Sequence, residues 1–181
     1  FLARHQAPDG RWRLHDFAGG GAAYDDAGPA NIEADTAGTG LALLAFLGAG
    51  YTHQDAKYGA VVEKGLTFLL QRQTPNGDLF ITPPGRDTPN TWFYSHGIAS
   101  IALCEALGMT RDDALLRVPA QKAIDFIVAS QNREFGGWRY LPNIGSDTSV
   151  SGWQLMALKR AERDGLNVPP QTYALVGRWL D

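Results

Sequence analysis

The sequence predicts an all-α protein built from about three helical hairpins, and two recurring patterns carry this prediction. In the first, a glutamine is followed four or five residues later by glycine, and then by tryptophan or leucine two residues beyond the glycine. The second is a seven-residue apolar stretch that begins at Gly40, Gly97 and Gly152. Because both patterns recur in the same order at nearly constant spacing, we interpret the chain as copies of one unit.

The first pattern, called here the Gln–Gly element, follows an aromatic–aliphatic pair in each copy. Its members are Gln6, Gly10 and Trp12; Gln73, Gly77 and Leu79; and Gln131, Gly136 and Trp138. A fourth aromatic–aliphatic pair stands at Trp179-Leu180. We therefore predict one domain over residues 1–181, with repeats at about 1–67, 68–125 and 126–178 and a fourth repeat cut off at 179–181.

The first helix of each unit is predicted to begin near Thr36, Thr91 and Thr148, where Thr and Asp are good N-caps. It is apolar nearly all round and rich in small residues, which is typical of a buried helix that approaches its neighbours closely. Glycines at 48–50, 108 and 165 are predicted to end these three helices.

The second helix of each unit is amphipathic and is predicted over residues 58–73, 119–131 and from 172 onward, with Pro119 in a first turn. An inner apolar helix repeatedly paired with an outer amphipathic one indicates an α/α barrel or an α-solenoid. The main irregular segments are predicted at 13–34, 81–90 and 141–146.

Composition excludes several classes of protein. The chain is 44% hydrophobic and 19% charged, which is typical of a protein with a folded core. Its net charge of −3 is not the excess of positive charge that nucleic-acid-binding proteins carry. No apolar run is long enough to span a membrane. Cys104 is the single cysteine, so no intrachain disulfide is possible, and we predict no cofactor. Because the sequence starts at Phe1, we expect any signal peptide or preceding domain to have been removed, and the compartment is unknown.

The Gln–Gly element recurring with helix pairs resembles the QW repeat of squalene-hopene and oxidosqualene cyclases, in the terpenoid cyclase and protein prenyltransferase superfamily. The stretches 39–53 and 147–158 are similar to bacterial proteins described as prenyltransferase or squalene oxidase repeat proteins. The resemblance covers essentially the whole chain and implies a partial α/α toroid. It implies that each glutamine of the element caps an outer helix and each tryptophan stacks between repeats; Leu79 departs from that pattern.

The resemblance also defines what is missing. Cyclases that start their reaction by protonating an alkene carry an Asp-x-Asp-Asp-Thr-Ala motif, whose middle Asp is the acid. The matching segment here is Ile32-Glu-Ala-Asp-Thr-Ala37, with Ala34 at the position of that acid. The copy at Asp147 also lacks it. We therefore predict that Asp35 and Asp147 are helix caps. In prenyltransferases zinc is held by Asp, Cys and His, but the Asp-x-Cys partner of His96 is absent, so we predict no metal and a hydrogen-bonded framework role for His96.

Other site hypotheses rest on single residues or loops. Cys104 is predicted to be a small buried residue. His53 and Asp55 supply only two metal ligands, which do not make a site. Four carboxylates could supply a glycosidase-type pair; they are Asp25, Asp26, Glu33 and Asp35. We favour a solvated loop for Asp25 and Asp26, because charge clusters are usually solvated.

Aromatic residues gather where the inner helices begin, and they define a candidate pocket. Its members are Asp35, Thr36, Trp92, Tyr94, His96, Asp147, Thr148 and Trp153. Aromatic faces stabilise cations, and they also simply pack between repeats. We therefore expect a repeat domain without the acid or the zinc ligands, which binds an apolar isoprenoid-like molecule or a protein partner.

Two alternatives are open at this stage. The chain could belong to a terpenoid cyclase or prenyltransferase whose catalytic residues lie in another part of the protein, or to an (α/α)-barrel carbohydrate-active enzyme. Three hairpins also suggest self-association, or further repeats of the same chain.

Overall fold

Six α-helices follow one another as three hairpins in the computed structural model, which describes residues 1–14, 33–82 and 89–181. The helices are α1 (Asp35–Gly48), α2 (Gly59–Arg72), α3 (Trp92–Thr110), α4 (Asp113–Ala129), α5 (Thr148–Arg163) and α6 (Pro170–Leu180). Short 3-10 turns lie at Leu2–His5 and Pro89–Thr91. No strand occurs within the described ranges, so the all-α prediction is confirmed.

Helices α1, α3 and α5 lie side by side and form what we call the first layer; α2, α4 and α6 form the second layer. Within the first layer α3 packs between α1 and α5, and α4 contacts both α3 and α5. Helix α6 contacts α5 where the Lys159 ammonium lies 3.8 Å from the ring centre of Tyr173. One apolar core, which includes Leu43, Leu66 and Leu103, runs between the layers. Across the described ranges, every helix is too short or too polar to cross a membrane.

The first-layer helices run parallel and in register. Near their N-termini the hydroxyls of Tyr94 and Ser149 are 2.5 Å apart, and near their C-terminal ends Arg160 Nη1 lies 2.7 Å from Glu105 Oε2. Glycine permits the close approach: a Cβ on Gly40 would lie 2.9 Å from Ile98 Cγ2.

The Gln–Gly element makes the same two hydrogen bonds in all three copies. Each glutamine donates from its side-chain Nε2 to the carbonyl of its own glycine and to a carbonyl in the following second-layer helix, so it ties the loop that begins its repeat to that helix. The acceptors are Gly10 and Val61 (both 2.9 Å) for Gln6, Gly77 (3.2 Å) and Pro119 (2.9 Å) for Gln73, and Gly136 (2.7 Å) and Thr172 (2.9 Å) for Gln131.

The glycine of each element is required for two reasons. Gly10, Gly77 and Gly136 have φ values of +93°, +97° and +84°, which side-chain-bearing residues rarely adopt. In addition, a Cβ at each position would lie 2.1–2.2 Å from a carbonyl oxygen of the following second-layer helix. The loop backbone therefore packs directly on that helix.

Three predicted boundaries need correction or qualification. Helix α4 begins at Asp113, because Asp112 caps it by accepting a bond from the Leu115 amide. Pro119 therefore lies inside the helix and not in its first turn. Gly108 does not end α3, which continues to Thr110; it lies against Arg160 and Asp164 instead. Of the predicted irregular segments, 141–146 is confirmed, whereas residues 15–32 and 83–88, with Asp25 and Asp26, lie outside the described residues.

We expect Gly77→Ala to destabilise the protein more than Gly165→Ala. Both glycines have positive φ, so each substitution carries a conformational cost of about 1–2 kcal/mol. Only Gly77 also faces a carbonyl, that of Lys122, whereas Gly165 faces open space, so Gly77→Ala should cost at least about 1 kcal/mol more. Urea unfolding of both variants measures the difference, and equal losses would contradict the close approach.

Candidate functional site

The residues of the candidate pocket lie in the N-terminal halves of the first-layer helices. Thr36 and His96 are buried, Thr148 is exposed, and the other members are partly exposed. Three surface pockets in the described part of the chain contain none of them. One lies beside Gln131 and Thr172, one beside Pro8 and Lys64, and one beside Phe1 and Tyr58.

His96 is a buried framework residue, as predicted. Its Nδ1 accepts a hydrogen bond from the Leu79 amide at 3.2 Å, and its Nε2 lies 3.1 Å from the Ala123 carbonyl of α4. The tautomer with its proton on Nε2 makes both of these bonds. Thr39 and Ser151 hold the same place in the other repeats, because their hydroxyls accept bonds from the Trp12 and Trp138 amides.

The two predicted caps differ. Ala34 is the N-cap of α1, so the capping prediction for Asp35 is wrong. Asp35 lies in the first turn, where its Oδ2 is 2.9 Å from Arg11 Nη1, and a guanidinium is a stronger partner than a backbone amide. Trp92, in the matching position of α3, donates from its indole to Asp78 at 2.8 Å and stacks on Phe80.

Asp147 caps α5 as predicted, since it accepts a hydrogen bond from the Val150 amide at 3.0 Å. The Ser149 hydroxyl also donates to Asp147, at 2.6 Å. These two bonds, that from Ser149 first, hold the pKa of the Asp147 carboxyl below its usual value. The Tyr94 hydroxyl extends the network to α3, and its ring lies 6.2 Å from that of Tyr140.

Below this polar rim lies a feature that we call the apolar band: Leu44 of α1, Ile101 of α3, and Trp153 and Met156 of α5. Leu44, Ile101 and Trp153 are half-buried, and Met156 is 49% exposed. Leu44, Ile101 and Met156 each stand four residues after the glycine of their apolar stretch, so they form one row across the layer. On α3, Ile101 points away from His96, which contacts the second layer, so the band lies on the open face of the first layer.

A group of charged residues lies at the other end of this face, near the C-terminal ends of α3 and α5. Arg160 bonds both Glu105, at 2.7 Å, and Asp164, at 2.6 Å, and Asp164 is almost fully buried. Cys104 lies beside this group without access to solvent, as predicted. Burial, and then the Asp164 charge, raises the pKa of its thiol to about 12, so the thiolate that a nucleophile or metal ligand requires is disfavoured.

No group of three potential metal ligands occurs among residues 1–14, 33–82 and 89–181. His53 does not meet Asp55: its Nε2 lies 3.0 Å from Asp112 Oδ2, which joins the ends of α1 and α3. The His53 hydrogen bond, and then the Leu115 amide, lower the pKa of Asp112. Asp55 instead accepts bonds from the amide and hydroxyl of Thr52.

Comparison with protein-family models, with curated proteins and with solved structures found no match for this chain.

Sequence reasoning missed most of the apolar band, because it concentrated on aromatic residues at the helix starts. The signal was present in the aligned glycines, since the residue four positions after each is Leu44, Ile101 or Met156. Apolar residues in a helix are normally assigned to the core, and only the packed structure shows which of them stay accessible.

We expect Asp147→Ala to cost about 0.5–2 kcal/mol at pH 7, whereas Asp147→Asn, which keeps a capping oxygen, should cost much less. Because the pKa of Asp147 is lowered, its carboxylate stabilises the fold fully above about pH 4, and this contribution is lost as the pH falls through the lowered value. Chemical unfolding of Asp147→Ala should therefore approach wild type at acid pH; a pH-independent difference would argue against the cap.

His96→Ala should destabilise the protein by at least about 1–3 kcal/mol, because the buried Leu79 amide loses its acceptor. His96→Asn places an amide oxygen near the position of Nδ1 and should recover part of the loss. Thermal unfolding in a calorimeter compares the two variants, and equal destabilisation would mean that the ring acts by packing alone.

Proposed function

We propose that this chain is a squalene cyclase- and prenyltransferase-like repeat domain that binds an apolar, isoprenoid-like molecule across the open face of its first layer. The apolar band carries the proposal. Large accessible apolar surfaces on a folded protein mark binding sites more often than isolated exposed residues do. The band crosses all three first-layer helices, so an extended apolar molecule could lie on it.

The composition of the band favours an apolar ligand. Ile101 and Leu44 are branched aliphatic residues, Met156 adapts to irregular shapes, and Trp153 offers an aromatic face. The polar rim at Asp147 and the Arg160 cluster bound this surface at its two ends. A ligand with an apolar body and a polar end matches that distribution.

The repeated bonding of the Gln–Gly element supports the family part of the proposal. The same pair of bonds in three copies is what a framework role of this motif requires. The position of the cyclase acid holds buried Ala34, and Cys104 and His96 are buried framework residues. We therefore propose binding, and not catalysis, as the function of this part of the protein.

The test is titration with farnesol, followed by the tryptophan fluorescence that Trp153 contributes. Met156→Lys and Ile101→Lys should each weaken binding by about tenfold or more, because the ligand must then contact a charge. Val118→Lys is the matched control, since Val118 is 63% exposed on α4, in the second layer.

Binding that is unchanged in both band variants, or weakened equally in the control, would contradict the proposed site. Absence of farnesol and squalene binding by the wild-type chain would contradict an isoprenoid ligand. If those lipids fail while an amphipathic peptide binds in a Met156-dependent way, the band is a surface for a protein partner.

A further inference from the structure

We propose that the third repeat carries a further binding site, for a small molecule with one carboxylate on an apolar body about the size of one aromatic ring. The site is a pocket between the end of α4, the loop of the third Gln–Gly element and the start of α6. It lies in the second layer, whereas the apolar band lies on the open face of the first layer. The inference therefore goes beyond the proposed function and does not depend on it.

The walls of this pocket are mainly apolar. Val128 of α4, Pro169 and Leu175 line it, and its volume is about 170 Å³. Gln131 and Thr172 also line it, but they already bond each other at 2.9 Å. Because an apolar cavity of about 150 Å³ holds benzene, a body about the size of one ring fits this pocket.

The third repeat departs from the other two at this place. The residue whose carbonyl faces the loop glycine is Lys64 in the first repeat and Lys122 in the second, and both side chains are exposed. In the third repeat the same place is held by Leu175, which is 8% exposed. The close approach of the glycine uses only the backbone of this residue, so the framework does not require the change from lysine. What the change does is make the pocket apolar.

The loop of the third Gln–Gly element is also one residue longer than the other two. Its Gly136 amide bonds the carbonyl of Asn132, four residues earlier. The side-chain oxygen of Asn132 accepts bonds from the amides of Glu134 (3.1 Å) and Phe135 (2.7 Å), which fixes the longer turn. This turn holds Arg133 at the pocket.

Arg133 supplies the charge that selects a carboxylate. In the part of the chain that the structure describes, Arg117 and Arg160 pair with acidic residues, whereas Arg133 makes no ion pair. Its guanidinium can therefore bond a ligand carboxylate through two parallel N–H groups. The pocket also lies at the N-terminal end of α6, where the helix dipole favours an anion.

The second repeat shows that a following repeat leaves this surface accessible. Val118 holds the place of Gln171, one residue before the carbonyl that the glutamine of the element bonds. Val118 is 63% exposed, although the third repeat follows it in the chain. The accessibility of the pocket is therefore a property of the repeat and not of its position in the series.

The experiment is a titration of the chain with benzoate, followed by the amide chemical shifts in NMR spectra. We expect a dissociation constant of about 1 mM or tighter, with the largest shifts at Arg133, Thr172 and Leu175. Arg133→Gln removes the charge from an exposed side chain and should weaken binding by about tenfold or more. Arg139→Gln is the matched control, since Arg139 is also exposed but does not line the pocket.

A second pair of variants tests the apolar body of the ligand. Val128→Trp fills the pocket and should weaken benzoate binding by about tenfold or more. Val118→Trp, on the exposed surface of α4, is its control and should bind like wild type. Far-UV circular dichroism verifies that the variants remain folded.

Three further probes separate the parts of the proposed ligand. Acetate lacks the apolar body and benzyl alcohol lacks the charge, so each should bind about tenfold more weakly than benzoate. N-acetylphenylalanine resembles the C-terminal residue of a peptide and should also bind more weakly, because the pocket holds about one ring.

Any of four results would overturn the proposal. They are a wild-type chain that does not bind benzoate up to about 10 mM; an Arg133→Gln chain that loses no more affinity than Arg139→Gln; acetate or benzyl alcohol that binds as tightly as benzoate; and N-acetylphenylalanine that binds more tightly, which would make a peptide terminus the occupant. Farnesol plays no part in this titration, so failure of this site and failure of the proposed function are separate results.

Discussion

In each repeat of this protein, a glutamine side-chain amide bridges two backbone carbonyls and ties the loop of the Gln–Gly element to the following second-layer helix. Gln131, which is almost fully buried, bonds Gly136 in its own loop and Thr172 in α6, and Gln73 and Gln6 make the matching pairs of bonds one and two repeats earlier. Without this amide, each of the two backbone carbonyls would need another hydrogen-bond donor. One buried side-chain amide donates to both carbonyls and so satisfies them together. The loop is thereby held at a fixed position over the following helix.

This bond explains why the loop glycine cannot carry a side chain. Gly77 packs directly on the backbone of α4, and Gly10 and Gly136 pack in the same way on α2 and α6. The residue two positions later then donates its amide to the first layer, to Thr39, His96 or Ser151. One short segment thus connects both layers, and the middle repeat keeps this geometry although Leu79 replaces tryptophan and histidine replaces a hydroxyl.

Within the described ranges, the first layer turns one face toward the core, and side chains on its other face are partly accessible. The open face has a polar rim at Asp147, an ionic cluster at Arg160 and the apolar band between them.

The sequence by itself determined the helical class, the order of the elements and the framework residues, because these follow from periodicity and from local hydrogen bonds. The capping of α5 by Asp147 is of that kind. Only the tertiary structure decided that Asp35 pairs with Arg11, that Pro119 lies inside α4, and which apolar residues stay accessible. Those outcomes depend on groups far apart in the chain, and an apolar residue such as Met156 has the same local pattern whether a neighbouring helix covers it or leaves it open.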